Sequence, residues 1–426
     1  MRLVPFVAAL PLASGQLHKW ATKAGLEYYG SATDTPGFRE REPYAAAYAT
    51  YDAIFANNDE FGQTTPTNGQ KWMFVEPEPG VFNFTEGDIV ADLARKQGKL
   101  LRCHALIWHS QLAPWVEATK WTPEELKAIM KRHIFGVASY YKGRCHHWDV
   151  VNEALDEDGT YRKSVFFNVL GEEYLKLAFQ WAAEADPGAK LYYNDYGIER
   201  PASVKTAGAK RLVKMILDAG LRVDGIGMQG HLHADNHATM ADHMNTMQQY
   251  VDLGVHEVAF TELDVRIKTP GVNETKLAWQ ADSYAAVAEA CVRVKQCVGI
   301  TIWDFYDPFS WIPHVFPDNH AAGLWFEDFT KHPAYDAIIN VFKRFDNRKE
   351  IAVVPEKPVD DCKEGKGKDA KGKGKKRSLR SARTTGKSYC IEQNWGQPPT
   401  RGTTKTTSAA FTTTSTGNGI QTPSPT

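Results

Sequence analysis

His146–Glu153, HHWDVVNE, reads as a buried apolar strand that stops abruptly on Asn152 and Glu153. A charged carboxylate there is costly unless something at the strand end needs it. Other stretches share the form: YYGSATD at 28–34, the segment around 61–66, KLLRCHALIWH at 99–109 and KLYYND at 190–195. They continue with VDGIGMQGH at 223–231, VAFTELD at 258–264 and GITIWDF at 299–305. Amphipathic helical patterns lie between them. TPEELKAIMKRHIFGVASYY, 122–141, opens with a Thr cap, a proline in the first turn and acids at the positive end of the helix. ASVKTAGAKRLVKMILDAG, 202–220, stops on Gly220. Eight strand–helix units without a Gly-x-Gly-x-x-Gly fingerprint predict an α/β fold, the closed (β/α)8 TIM barrel, over a doubly wound sheet.

Chemistry in such a barrel sits at the C-terminal ends of the strands. The polar exceptions gather there: Asn68 and Lys71, His109, Asn152 and Glu153, Asn194 and Asp195, Gln229 and His231, Glu262 and Asp264, and Trp303. Glycoside hydrolysis needs two carboxylates flanking one bond, about 5–5.5 Å apart when configuration is retained and about 6.5–9.5 Å when it is inverted. Glu153 and Glu262, each following an apolar run, are the candidate pair across the barrel mouth.

Six motifs in order, WHSQLAPW, WDVVNEAL, LYYNDY, MQGHLH, FTELDVR and TIWDFYDPFSW, make the chain resemble glycoside hydrolase family 10, the endo-β-1,4-xylanases. The likeness runs from about Leu17 to Phe345. It implies a retaining endo-xylanase with no cofactor and no metal. By the same resemblance Glu153 is the general acid/base and Glu262 the nucleophile. His231 donates to that nucleophile, with Asp264 behind it. Asn152 and Gln229 lie beside the carboxylates, and Asn68, Lys71 and His109 grip the sugar on the non-reducing side. Trp303 and Trp311 wall the cleft, and Trp115 is either cleft or core. His233, Asn194, Asp195 and Tyr196 fall near the rim.

Two departures stand out. Thr67 occupies a position where the family carries Glu, and Asp304 one where it often has Gly. The loss at Thr67 raises a competing reading, a retaining β-1,4-glucanase with cellobiosidase-like side activity. A non-catalytic carbohydrate-binding barrel is the third reading, and the presence of both glutamates, His231 and Asp264 counts against it.

The 426 residues carry 42% hydrophobic and 12% aromatic side chains, ample for a core of this size. From Ile351 onward there are 14 Lys and Arg against 6 Asp and Glu, so a net charge of −1 conceals an acidic body. That balance argues against nucleic acid as a partner. MRLVPFVAALPLASG, 1–15, has the form of a secretory signal peptide, and no later apolar run suits a membrane span. A soluble, secreted, extracellular monomer acting on xylan and xylo-oligosaccharides is expected, with its catalytic domain at 16–350. The expected pairings in an oxidising compartment are Cys291–Cys297, Cys103–Cys145 and Cys362–Cys390. The cysteine and histidine spacings lack a zinc pattern. Asn83 and Asn273 head glycosylation sequons. The tail, 351–426, passes from a Lys/Gly-rich run to a Thr/Ser-rich one and cannot form a core.

Overall fold

The computed structural model describes residues 16–33, 47–236, 238–268 and 271–346. The leader at 1–15, the tail at 351–426 and the Cys362–Cys390 pairing lie outside the described residues.

Among the described residues ten strands follow in chain order: β1 (Tyr28–Thr33), β2 (Gln63–Pro66), β3 (Leu100–Trp108), β4 (His147–Asn152), β5 (Lys190–Asp195), β6 (Gly225–Met228), β7 (His231–His233), β8 (Glu257–Lys268), β9 (Cys297–Ile302) and β10 (Asn319–His320). Parallel pairing runs β1-β2-β3-β4-β5-β6-β8-β9, and β9 returns to β1, so eight strands close a (β/α)8 barrel. Every residue of β1 and β4 is buried, as expected where helices cover the outside and side chains fill the inside.

Several boundaries differ from the sequence reading, each for a local reason. The stretch 223–231 is two strands, because Gly230 at φ 79 breaks the run between β6 and β7. β8 continues past 264 to Lys268 because it gains β7 as a parallel neighbour and β10 as an antiparallel one. β3 ends at Trp108 and β9 at Ile302, leaving His109 and Trp303 just past their strands. Glu153 falls outside β4, with φ 53, although its N–H still reaches the carbonyl of Asn194 on β5 at 2.9 Å.

The barrel interior holds an ionic cluster. Arg102 on β3 pairs with Asp149 on β4, whose Oδ2 also lies 3.0 Å from His104 Nδ1. The Arg102 guanidinium stacks over Tyr192, 4.3 Å from the ring centroid. Burial disfavours both charges, but mutual attraction prevails, so the Arg102 pKa is raised and that of Asp149 lowered.

Outside the barrel, helix Pro123–Tyr140 begins with a reciprocal capping box. Glu125 N–H donates to Thr122 Oγ1 at 3.3 Å, and Thr122 N–H to Glu125 Oε2 at 2.9 Å. A cap of this kind contributes about 1 kcal/mol. Disulfides join Cys103 to Cys145, with Cα atoms 5.6 Å apart, and Cys291 to Cys297. Asn83 and Asn273 are exposed, and each turns its Oδ1 to the backbone, to Thr85 N at 3.1 Å and Lys276 N at 3.0 Å. The second contact caps helix Glu274–Arg293. No helix among the described residues is long and apolar enough to cross a membrane.

Candidate active site

Glu262 lies within β8 rather than at its end, and 5% of it is exposed. Two donors meet its carboxylate. Asn194 Nδ2, at the end of β5, reaches Oε1 at 2.7 Å, and His231 Nε2, which opens β7, lies 3.3 Å from Oε2. The Asn194 amide is oriented from its other side, where Thr261 Oγ1 donates to its Oδ1 at 2.6 Å. Gly227 leaves room for this: a Cβ there would stand 2.2 Å from Asn194 Oδ1.

His231 is held from behind. Its Nδ1 is 2.8 Å from Asp264 Oδ2, which also accepts from Trp311 Nε1 at 2.9 Å. Burial works against a charged imidazole, but the Asp264 and Glu262 carboxylates outweigh it and raise the pKa to about 10. Both ring nitrogens therefore donate at neutral pH, and a cation faces Glu262.

Glu153 occupies the bend just past β4. Gln229 Nε2 donates to its Oε1 at 3.1 Å, and Asn152 Nδ2 lies 3.4 Å from the same oxygen. The Asn152 side chain is itself 2.9 Å from Asn194 Nδ2 and 3.2 Å from Gln229 Nε2. β5 and β6 stand between β4 and β8, and the amides of Asn152, Asn194 and Gln229 fill the space between the two carboxylates. Neutral amides position charges without neutralising them and can also hold sugar hydroxyls.

A second group lies past β2 and β3. Lys71 Nζ donates to Asn68 Oδ1 at 3.0 Å and stands 4.8 Å from the centroid of Trp108, while Gln111 Nε2 donates to the same Asn68 oxygen at 3.2 Å. His109 shares a recess with Trp108, Asn152, Glu153 and Arg162. Burial holds its pKa down at about 4, against the pull of Glu153, so it is a neutral imidazole there.

Trp303 is only 7% exposed and packs edge-on against His104, with centroids 5.4 Å apart. Trp115 belongs to packing: it meets Trp72 and Trp121 edge-on and donates to the Glu76 carbonyl. Asp304 takes φ 68, a left-handed conformation that Asp tolerates, and accepts from Tyr51 OH at 3.3 Å and Tyr306 N at 3.1 Å. His233 Nε2 accepts from the Arg266 guanidinium.

Trp108, Gln111 and Arg162 escaped the sequence reading as site residues. The first two sit in the WHSQLAPW motif, where the alternation of tryptophan with short polar residues was the available signal. Arg162 lies in an aperiodic loop with nothing to mark it. Among the described residues, no group of three or more His, Cys, Asp or Glu side chains is arranged to hold a metal ion.

The sequence matches Glycosyl hydrolase family 10 over residues 16–341. Endo-1,4-beta-xylanase A of Humicola insolens is 60% identical over 333 residues, 78% of this chain and 88% of that protein. Endo-1,4-beta-xylanase A of Fusarium oxysporum f. sp. lycopersici is 46% identical over 298 residues, 68% of this chain and 90% of that one. Among solved structures, Penicillium canescens endo-1,4-beta-xylanase XylE aligns with a TM-score of 0.73 at 38% identity, covering 77% of this chain and 98% of its own. A family 10 xylanase of Bispora sp. MEY-1 with xylobiose aligns with a TM-score of 0.72 at 37% identity, covering 76% and 99%. With the barrel, the carboxylate pair and this match over most of its length, the chain belongs to glycosyl hydrolase family 10.

Proposed function

We propose that the protein is a secreted endo-1,4-β-xylanase that cleaves internal xylosidic bonds of xylan with retention of configuration. The observation that carries this reading is the Glu262 carboxylate facing the His231 cation and the Asn194 amide, joined through neutral amides to Glu153. Glu262 attacks the anomeric carbon and forms a glycosyl-enzyme as Glu153 protonates the departing sugar oxygen. Glu153 then takes a proton from water, which attacks the same carbon and frees Glu262. Asn152 and Gln229 hold Glu153, and Asp264 and Trp311 fix His231. Asn68, Lys71 and His109 bind the sugar on the non-reducing side, and Trp303 and Trp311 border the cleavage point.

Xylan and xylo-oligosaccharides are the substrates, in keeping with the names of the relatives and with the xylobiose bound to the Bispora protein. The chain works as an exported monomer, with a leader at 1–15, the catalytic barrel at 16–350 and a low-complexity tail at 351–426.

Reducing-sugar release from xylan, measured for the wild type and Glu262→Ala, tests the assignment. The variant should be inactive, and a 2-fluoro xylobioside should label Glu262 in the wild type. Equal activity of the two proteins would overturn it.

A further inference from the structure

Glu153 is not held only through its carboxylate. It is the first residue beyond β4, and its φ of 53 is a conformation that costs a non-glycine residue about 1–2 kcal/mol. One residue spans the bend that follows. Arg162 Nε donates to the Glu153 carbonyl at 3.1 Å, the Arg162 main-chain N–H to the Ala154 carbonyl at 2.9 Å, and Nη2 to the Leu155 carbonyl at 2.8 Å. Three consecutive carbonyls thus share one binding residue. The guanidinium is anchored in turn, with Nη2 donating to Tyr196 OH at 3.0 Å and Nη1 lying 3.2 Å from Asp156 Oδ1. Tyr196 is fixed by its own N–H, which donates to the buried Asp195 carboxylate at 2.9 Å.

We propose that Arg162 is a positioning residue for the acid/base: its fork locks the 153–155 bend so that the Glu153 carboxyl stays beside Gln229 and over the scissile oxygen. A planar, always-charged fork suits this task, because it binds two carbonyls and a hydroxyl in fixed relative directions. Small displacements of a catalytic group carry large kinetic penalties, so loosening the bend impairs proton transfer while leaving Glu262 in place. The inference rests on Glu153 being the acid/base.

The test separates proton-dependent from proton-independent steps. Expulsion of dinitrophenolate needs no proton donor, whereas expulsion of a sugar does. In Arg162→Met, kcat/KM on xylohexaose should fall about 10- to 100-fold, while kcat/KM on 2,4-dinitrophenyl β-xylobioside changes little. With the dinitrophenyl substrate, hydrolysis of the glycosyl-enzyme becomes slow. Azide should then raise kcat by attacking the anomeric carbon, breaking the bond to Glu262 and releasing β-xylobiosyl azide without proton transfer. Tyr196→Phe, which removes one anchor, should show the same pattern more weakly, and Arg162→Lys should restore part of the loss. If Arg162→Met does not fold, these two variants decide. Equal losses on both substrates, or no response to azide, would overturn the inference. Glu153→Ala is the control: if azide fails to rescue it too, the acid/base assignment is what has failed.

Discussion

Two charged clusters occupy the same barrel and are built on opposite plans. In the interior, Arg102 and His104 are buried and both meet the buried Asp149 carboxylate directly. At the mouth, the Glu153 carboxylate meets the amides of Gln229 and Asn152, and Glu262 meets one amide and one imidazolium. Interior carboxylate capacity is consumed by fixed partners, which specifies geometry and leaves nothing for a ligand. The carboxylates at the mouth are oriented but retain capacity to accept a proton or attack a carbon. A buried carboxylate saturated by its cation is costly to disturb, while one met by amides, or by an amide and an imidazolium, keeps an oxygen available for chemistry.

The sharpest way to break this comparison is to remove one charged group from each plan. Glu262→Gln should cost at least about 10⁴-fold in kcat on xylobiosides with an unchanged melting temperature, read by steady-state kinetics and calorimetry. Arg102→Met, which strands Asp149, should lower stability by about 3–5 kcal/mol in urea unfolding while leaving kcat per folded molecule unchanged. If Arg102→Met abolishes activity in well-folded protein, the interior is not the purely structural cluster described. Next come the disulfides. Cys103–Cys145 spans 42 residues and Cys291–Cys297 spans 6, so the chain-entropy account assigns their loss about 4 and about 2 kcal/mol. Paired Cys→Ala variants measured in urea should keep that order.

The last test is a pH dependence at the mouth. His231 has a folded pKa of about 10 against 6.5 for a free histidine, so the folded state holds an extra proton between these values. Its contribution to stability is complete below about 6.5 and is lost as pH rises through about 10, at up to about 1.4 kcal/mol per pH unit. Urea titrations of His231→Asn from pH 6 to 10.5 should lack that decline. A parallel fall in wild type and variant would assign it to other groups.

The barrel was legible in the sequence because its strands are buried on both faces and appear as apolar runs between amphipathic helices. The carboxylates and their neighbours were legible because an apolar run that ends in a polar residue exposes its own exception. What escaped was geometry made by contacts between distant elements. The extension of β8 to Lys268 depends on β7 and on β10, which follows 51 residues after β8 ends. The left-handed conformation of Glu153 leaves no trace in residue type, since that position is neither glycine nor asparagine, and Arg162 is nine positions away in a loop without periodicity. Separations of this kind carry no pattern that a single sequence can show.

The Asn273 cap has a practical consequence for anyone probing glycans on this chain. The usual Asn→Gln change would remove a potential carbohydrate and uncap helix Glu274–Arg293 together, so a loss of stability of about 1 kcal/mol could be mistaken for an effect of the sugar. Thr275→Ala abolishes the sequon and leaves Oδ1 on the Lys276 amide. Thr85→Ala does the same at Asn83, whose oxygen needs only the main-chain N–H at that position. At both sites the hydroxyl residue, not the asparagine, is the handle that isolates carbohydrate from fold.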